Sequence, residues 1–363
     1  MNNALIIIGK GLLDNKPFMD YAMRNLEEQI GQFDSIRILN KNDNDFFIQL
    51  EDYIKKFDQT IILAHSKNFN FVNKIIATLN EDTLELKDGM LIPKKTVVYS
   101  NNSYLLELGT KTINVLSITE DENLPEILLS DEKNSKTFTI IDIDIDSIAL
   151  LLEPICTTYE VSINSTPIVE GWINVRATAY KYGNLDNFIK AVKSLFVGKF
   201  INTQNTIKYI IEKLEENGKK ITAVESCTGG LICSLITREA GASNVFDGGI
   251  VSYANEIKES WLGVDKTILQ NYGAVSELCV INMLEGALQA SKADFALATS
   301  GIAGPSGGSD EKPVGTVFLG VKQKGKDAVV QRLLLKGDRG YIQTQSAFYA
   351  FKMLLQDNKK LFF

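Results

Sequence analysis

The sequence of 363 residues predicts an α/β protein in three parts. A doubly wound N-terminal domain is expected over residues 1–158, a small α+β connecting domain over 159–204, and a three-layer α/β domain over 205–363. Three observations predict this class. Apolar β-branched runs alternate with helical patterns through residues 3–79. The polar stretch 198–205 has no apolar run after Ile201 and reads as a linker. Beyond it, buried-type strands end repeatedly in polar, glycine-rich turns.

The composition narrows the function. Hydrophobic residues make up 45%, enough for each domain to bury a core. A net charge of −7 argues against general nucleic-acid binding. No segment approaches the roughly 18 uncharged apolar residues of a membrane span. The opening MNNALIIIGKG reads as a first strand rather than a signal peptide. Cys156, Cys227, Cys233 and Cys279 lack metal-ligand spacing and are expected as free thiols in a cytoplasmic protein. The single histidine, His65, lies far from the other motifs and is expected in a loop, which leaves histidine-based triads without support.

Taken in order, residues 3–9 form a buried parallel strand, 18–30 a helix, 35–39 a strand, 45–57 a helix, 59–64 a strand and 69–79 a helix. The strand ends read Gly9-Lys10-Gly11 and His65-Ser66-Lys67-Asn68, weak signals for a ligand. Short strands follow at 90–92, 96–99, 112–117 and 137–141, with an acidic loop over 119–126. Alternation through residues 140–146 places Asp142, Asp144 and Asp146 on one wet strand face; a metal set is the less simple reading. Strands at 160–169 and 172–180 and a helix at 184–196 make the connector.

In the C-terminal part, residues 206–217 form an amphipathic helix stopped by Gly218, and 221–224 a short strand. The strand runs through Glu225-Ser226-Cys227-Thr228-Gly229-Gly230 into a helix ended by Gly241. A helix mouth with free N–H groups suits an anion. A strand around GGIVSYA, a helix over 255–262, a Ser276-capped helix over 276–291 and a strand over 294–299 come next. The loop 300–316 carries five glycines and reads as a ligand cradle. A hairpin (317–321, 329–334) and a helix (344–355) close the domain.

The chemistry is read from these strand ends. Ser226 needs a base, and no histidine is local. Lys258, desolvated, is the candidate base; Tyr253 is a candidate relay or oxyanion donor. Cys227 is the competing nucleophile, because a helix N-terminus favours a thiolate. Arg339, in KGDRG, is a candidate phosphate ligand, with a surface ion pair equally open.

VESCTGG, GGIVSYANEIKESWLGV, YGAVSE and SGIAGPSGGSDEKPVGTV together resemble the CinA family of competence/damage-inducible proteins, over about residues 206–355. The resemblance implies a C-terminal amidase that hydrolyses the carboxamide of nicotinamide mononucleotide, releasing ammonia. It implies that the substrate phosphate meets the glycine-rich segments, that no metal or cofactor is needed, and that the protein is a homodimer. The expected substrate-binding residues are Glu225, Thr228, Gly229 and Gly230 at the helix mouth, with Arg339. Ser300, Gly301, Gly304, Gly307, Gly308, Lys312, Gly315 and Thr316 complete the set from the long loop.

Family members carry a molybdopterin-binding-like domain in the N-terminal half, associated with a metal-dependent ADP-ribose pyrophosphatase. Its Gly-x-Glu turn is here Gly9-Lys10-Gly11, and its glycine-rich loop is AHSKNFN, residues 64–70. A retained fold and a lost pyrophosphatase are expected. A pyrophosphatase, or a non-catalytic nucleotide-binding protein, are the alternative functions.

Overall fold

The computed structural model describes residues 2–9, 11–31, 33–129 and 135–363. Lys10, in the expected Gly9-Lys10-Gly11 turn, lies outside them. The chain divides into two compact units, Met1–Lys133 and Asn134–Phe363.

The first unit runs β1 (Asn3–Ile8), α1 (Gly11–Asp14), α2 (Lys16–Ile30), β2 (Ser35–Leu39), α3 (Phe46–Lys56), β3 (Gln59–His65), α4 (Ser66–Leu79), β4 (Leu84–Lys87), β5 (Met90–Pro93), β6 (Val98–Ser100), β7 (Ser103–Leu108) and β8 (Lys111–Ile118). Its six-stranded sheet has the order β2-β1-β3-β8-β7-β6. β1 pairs in parallel with both β2 and β3, as the βαβαβ pattern predicts. β1 is buried along its whole length, and its residues alternate between the cores on the two faces: Ile6 and Ile8 on one, Leu5 and Ile7 on the other. His65 caps α4, its Nδ1 accepting from the Lys67 amide at 3.1 Å. Among the described residues no cluster of three His, Cys, Asp or Glu side chains is arranged to hold a metal.

The second unit begins with β9 (Ser135–Ile141), α5 (Ile145–Tyr159), β10 (Val161–Val169), β11 (Trp172–Ala179), α6 (Leu185–Leu195) and β12 (Phe200–Ile201). Here the structure corrects two expectations. β9 pairs antiparallel with β11 in a β10-β11-β9-β12 sheet, so the chain divides after Lys133 and not after residue 158. Acidic alternation also does not continue the strand. β9 stops at Ile141, Asp142 turns with φ +64°, and Asp144 caps α5 through the Ser147 amide. The Asp142 carboxylate pairs with Lys359 at 2.8 Å.

The rest of the unit is α7 (Thr206–Glu216), β13 (Ile221–Glu225), α8 (Leu231–Thr237), β14 (Gly249–Val251), α9 (Asn255–Leu262), α10 (Lys266–Asn271), α11 (Glu277–Ala290), β15 (Phe295–Gly301), β16 (Thr316–Gln323), β17 (Val329–Leu334), α12 (Arg339–Asp357) and α13 (Lys359–Phe362). The sheet order is β14-β13-β15-β16-β17. The first three strands are parallel, and β16 and β17 form the expected hairpin. Ile221 and Ala223 pack on one face with residues of α7, α8 and α12; Val224, Ala296 and Ala298 pack on the other with α11. This is the expected three-layer arrangement. α8 stops at Thr237, and Gly241 (φ +86°) opens a 3₁₀ turn instead of capping that helix. α12 begins five residues earlier than its expected start, at Arg339. Among the described residues no helix is long and apolar enough to cross a membrane.

α9 carries Lys258, and its position is set by the close approach of α11 to its C-terminal end. A Cβ on Gly286 would lie 2.1 Å from the Leu262 carbonyl oxygen. Gly286→Ala is therefore expected to destabilise the protein by about 1–3 kcal/mol through overpacking. Urea denaturation checks this as a lower midpoint at unchanged slope.

Candidate active site

β13 and β14 end level, and β15 continues two residues beyond them to Gly301. Glu225 stands opposite Val251 on one side and Thr299 on the other. The turns after β13, β14 and β15 therefore meet at one edge of the sheet, where ligands of open α/β sheets sit. The Ser226 amide continues the ladder, donating to the Thr299 carbonyl at 2.9 Å. Gly229 (φ +62°) and Gly230 (φ +102°) then bend the chain into α8.

α9 brings Lys258 beneath this turn. Its side chain is 1% exposed. Nζ donates to the carbonyls of Ser252 (2.6 Å) and Tyr253 (3.2 Å) and lies 3.1 Å from Ser226 Oγ. No ion pair to Lys258 occurs among the described residues. Burial accordingly pushes its pKa below the usual 10.5. The thiols respond in the opposite direction. Burial pushes Cys227 up to about 12 and Cys279 to about 11. Cys227 thus lacks the lowered pKa that a helix mouth was expected to confer.

A pocket of about 260 Å³ opens above Ser226 and Lys258. Of the expected residues, Cys227, Tyr253, Ser300, Gly301, Gly304, Gly307 and Arg339 line it with Ser226 and Lys258. Tyr253 is 62% exposed, its hydroxyl accepts from Arg339 Nη2 at 2.9 Å, and it is its backbone carbonyl that bonds the lysine. Arg339 Nη1 donates to the Gly304 carbonyl at 2.8 Å. Ser300 Oγ turns away to the Ala274 carbonyl, 2.7 Å distant.

Eight expected residues do not line the pocket. Glu225 is fully buried, and its carboxylate accepts from the amides of Gly230, Ile232 and Cys233 at 2.8–3.1 Å. The mouth of α8 therefore already holds an anion supplied by the chain. Thr228 points inward, its hydroxyl 2.6 Å from that of Thr299. Gly229 and Gly230 serve the turn. Lys312 ties the long loop to the Tyr272 carbonyl at 2.8 Å. Gly308 lets the loop close on itself, since a Cβ there would sit 2.8 Å from the Val314 amide nitrogen, and Gly315 lets it pass the chain after β17, where a Cβ would sit 2.0 Å from the Leu335 carbonyl oxygen. Thr316 is buried at the start of β16, its hydroxyl without a partner.

The apolar lining was not anticipated. Ala274, Val275, Ile302 and Ala303 complete the wall, together with Ser306. Ala274 and Val275 lie in YGAVSE and Ile302 and Ala303 in SGIAGP, but apolar residues in a loop carry no chemical signal until a cavity forms around them.

A family model described as the CinA C-terminal domain matches residues 203–357. A CinA-like protein of Thermotoga neapolitana is 45% identical over 160 residues, 44% of this chain and 39% of that one. The nicotinamide-nucleotide amidohydrolase PncC of Escherichia coli is 43% identical over 145 residues, 40% of this chain and 88% of that one. The crystal structure of competence/damage inducible protein CihA from Agrobacterium tumefaciens shares 39% identity, over 42% of this chain and 94% of that one, with a TM-score of 0.42. The chain spans less than half the length of several relatives that it matches, such as the Thermotoga protein.

A thiol raised from 9.0 to about 12 has about a thousandth of the ordinary thiolate fraction near neutral pH. Cys227 is therefore expected to alkylate with iodoacetamide about 10³-fold more slowly than an exposed cysteine. Peptide mass mapping of the folded protein measures this, with the denatured protein as reference.

Proposed function

The chain belongs to the CinA family, and we propose that residues 205–363 hydrolyse the carboxamide of nicotinamide mononucleotide to nicotinate mononucleotide and ammonia. The name of the Escherichia coli relative, 88% of which this chain covers, supports the substrate. The observation that carries the chemistry is the buried Lys258 amine 3.1 Å from Ser226 Oγ.

In its neutral form the amine has two N–H bonds and one lone pair. The carbonyls of Ser252 and Tyr253 take the two N–H bonds, which leaves the lone pair toward the Ser226 hydroxyl. Ser226 Oγ attacks the carboxamide carbon as its proton passes to Lys258. The carbonyl π bond opens to an oxyanion. The amides of Cys227 and Thr228, which follow the nucleophile in the chain, are the candidate donors for it, since those of Gly229 and Gly230 already donate to Ser226 O and Glu225. Collapse breaks the C–N bond, and the protonated Lys258 gives its proton to the departing NH2 group, which leaves as ammonia. Water, deprotonated by the same amine, then attacks the acyl ester; Lys258 returns that proton to Ser226 Oγ as the C–O bond breaks, and the nicotinic acid released loses its own proton to solvent.

Arg339 is the cation at the rim and suits the substrate phosphate, with the Tyr253 hydroxyl beside it. Val275, Ile302 and Ala303 offer an apolar wall to the pyridine ring.

Three outcomes are expected when ammonia release from nicotinamide mononucleotide is measured. Ser226→Ala lowers kcat/KM by about 10³-fold or more, whereas Cys227→Ala stays within about threefold of wild type. A reversed ranking would transfer the nucleophile role to the thiol. The rate also rises with pH along a limb that titrates below 10.5, as Lys258 becomes neutral. The linkage has the same sign. Between its folded pKa and 10.5 the folded protein binds fewer protons at this lysine than the unfolded chain, so this group's contribution to stability grows as pH rises through that window. A denaturation series with Lys258→Met, which lacks the ionisable group, reads the difference.

A further inference from the structure

The turn that carries Ser226 has little stiffness of its own. It runs from residue 226 to 230 and ends in two glycines at positive φ, which resist bending less than any other residue. One residue ties both of its ends. The main chain of Glu225 belongs to the sheet, and its carbonyl accepts from the Ser252 amide at 2.8 Å. Its side chain belongs to the helix, where one oxygen takes the amides of Gly230 (2.9 Å) and Ile232 (3.1 Å) and the other that of Cys233 (2.8 Å). Ser252 in turn offers its carbonyl to Lys258 Nζ at 2.6 Å. The same residue therefore anchors the nucleophile turn and the strand end that holds the base.

The carboxylate is fully buried and forms no ion pair among the described residues. A buried charge in that position is costly unless fully bonded. Backbone N–H groups at a helix start are the partners that satisfy it, with the helix dipole adding to them. Such bonds have fixed directions, so the charge fixes the distance between the end of β13 and the start of α8. Chain continuity and the bond from the Ser226 amide to Thr299 O then leave Ser226 Oγ a narrow range of positions over Lys258.

We propose that Glu225 is a positioning residue for Ser226, its buried carboxylate stapling the first turn of α8 to the strand end so that the serine hydroxyl stays on Lys258. The proposal rests on Ser226 being the nucleophile. Glu225 itself touches neither the pocket nor the substrate. Replacing it by glutamine keeps the shape but turns one acceptor oxygen into a donor, which then faces a backbone N–H.

The test uses the full chain and reads three quantities for wild type and Glu225→Gln. The first is the rate of Ser226 labelling by a fluorophosphonate, located by peptide mass. This step forms the Oγ–P bond and expels fluoride, needs Ser226 and Lys258, and does not depend on the natural substrate. The second is kcat and KM with nicotinamide mononucleotide. The third is hydrogen exchange at the amides of Gly230, Ile232 and Cys233 in wild type, which needs no variant to fold.

The expected result is a fall of about 10- to 100-fold in both labelling rate and kcat, with KM within about threefold. The wild-type amides should exchange as slowly as core strand amides. The proposal is overturned if the folded variant labels within about twofold of wild type, if its loss falls on KM alone, or if the three amides exchange like an exposed loop. Wild type that labels at Ser226 but leaves nicotinamide mononucleotide intact would overturn the substrate and leave the staple standing on labelling and exchange. Wild type that does not label at Ser226 would remove the nucleophile reading, and with it this proposal.

Discussion

A lysine amine buried with no counter-ion among the described residues is the constraint around which the C-terminal half is arranged. Lys258 is almost fully buried, and what surrounds its Nζ is two carbonyl oxygens and one hydroxyl. Carbonyl dipoles partly offset the loss of water but do not replace a carboxylate. The amine is thereby biased toward the neutral form, the form with a lone pair to receive a proton. A carboxylate beside it would remove that property by holding the lysine charged. Glu225 directly precedes the nucleophile in the chain, and its carboxylate oxygens are committed to three backbone amides at the start of α8. Acid and base thus stand on either side of the same turn, each satisfied separately.

This arrangement depends on the sheet. β14, β13 and β15 run parallel and end within two residues of one another, so three turns distant in sequence share one edge. The helix layers then supply the remaining groups. α9 lies on one face and delivers the lysine; α12 lies on the other and begins with Arg339 at the rim of the pocket. α12 is also joined to the connector sheet. Trp172 packs edge-on against Phe348, and Lys352 donates to the Glu170 carbonyl. The connector residues Ile141, Val169 and Trp172 share one core with α7, α8 and α12. That shared core explains why β9 to β12 and the C-terminal sheet form one compact unit.

Periodicity and glycine placement were sufficient, without tertiary information, for the class of the fold. The apolar run of β1 after Asn3, the Ser276 cap of α11 and the hairpin of β16 and β17 are local features with local causes. They also picked out the polar strand ends, and so Ser226, Tyr253, Lys258 and the loop after β15. Where local pattern misled, a distant partner had decided the matter. Asp142 and Asp144 alternate like strand residues, but Lys359 and the start of α5 claim them. β9 reads equally well in either domain, and only its pairing with β11 assigns it.

What the sequence by itself determined is the set of residue types offered to the site: a hydroxyl and a flexible glycine bed at strand ends, a lysine on the helix after the second of them, and an arginine farther along the chain. What only the tertiary structure decided is the state of each. Whether a thiol is raised to about 12 or a lysine lowered, whether a glutamate meets substrate or seals a helix, depends on which groups surround it and how much water is excluded. Desolvation and hydrogen-bond direction are properties of an assembled neighbourhood. The neighbours of Glu225 across the sheet come from residues 251 and 299, and neither distance along the chain nor composition records that contact.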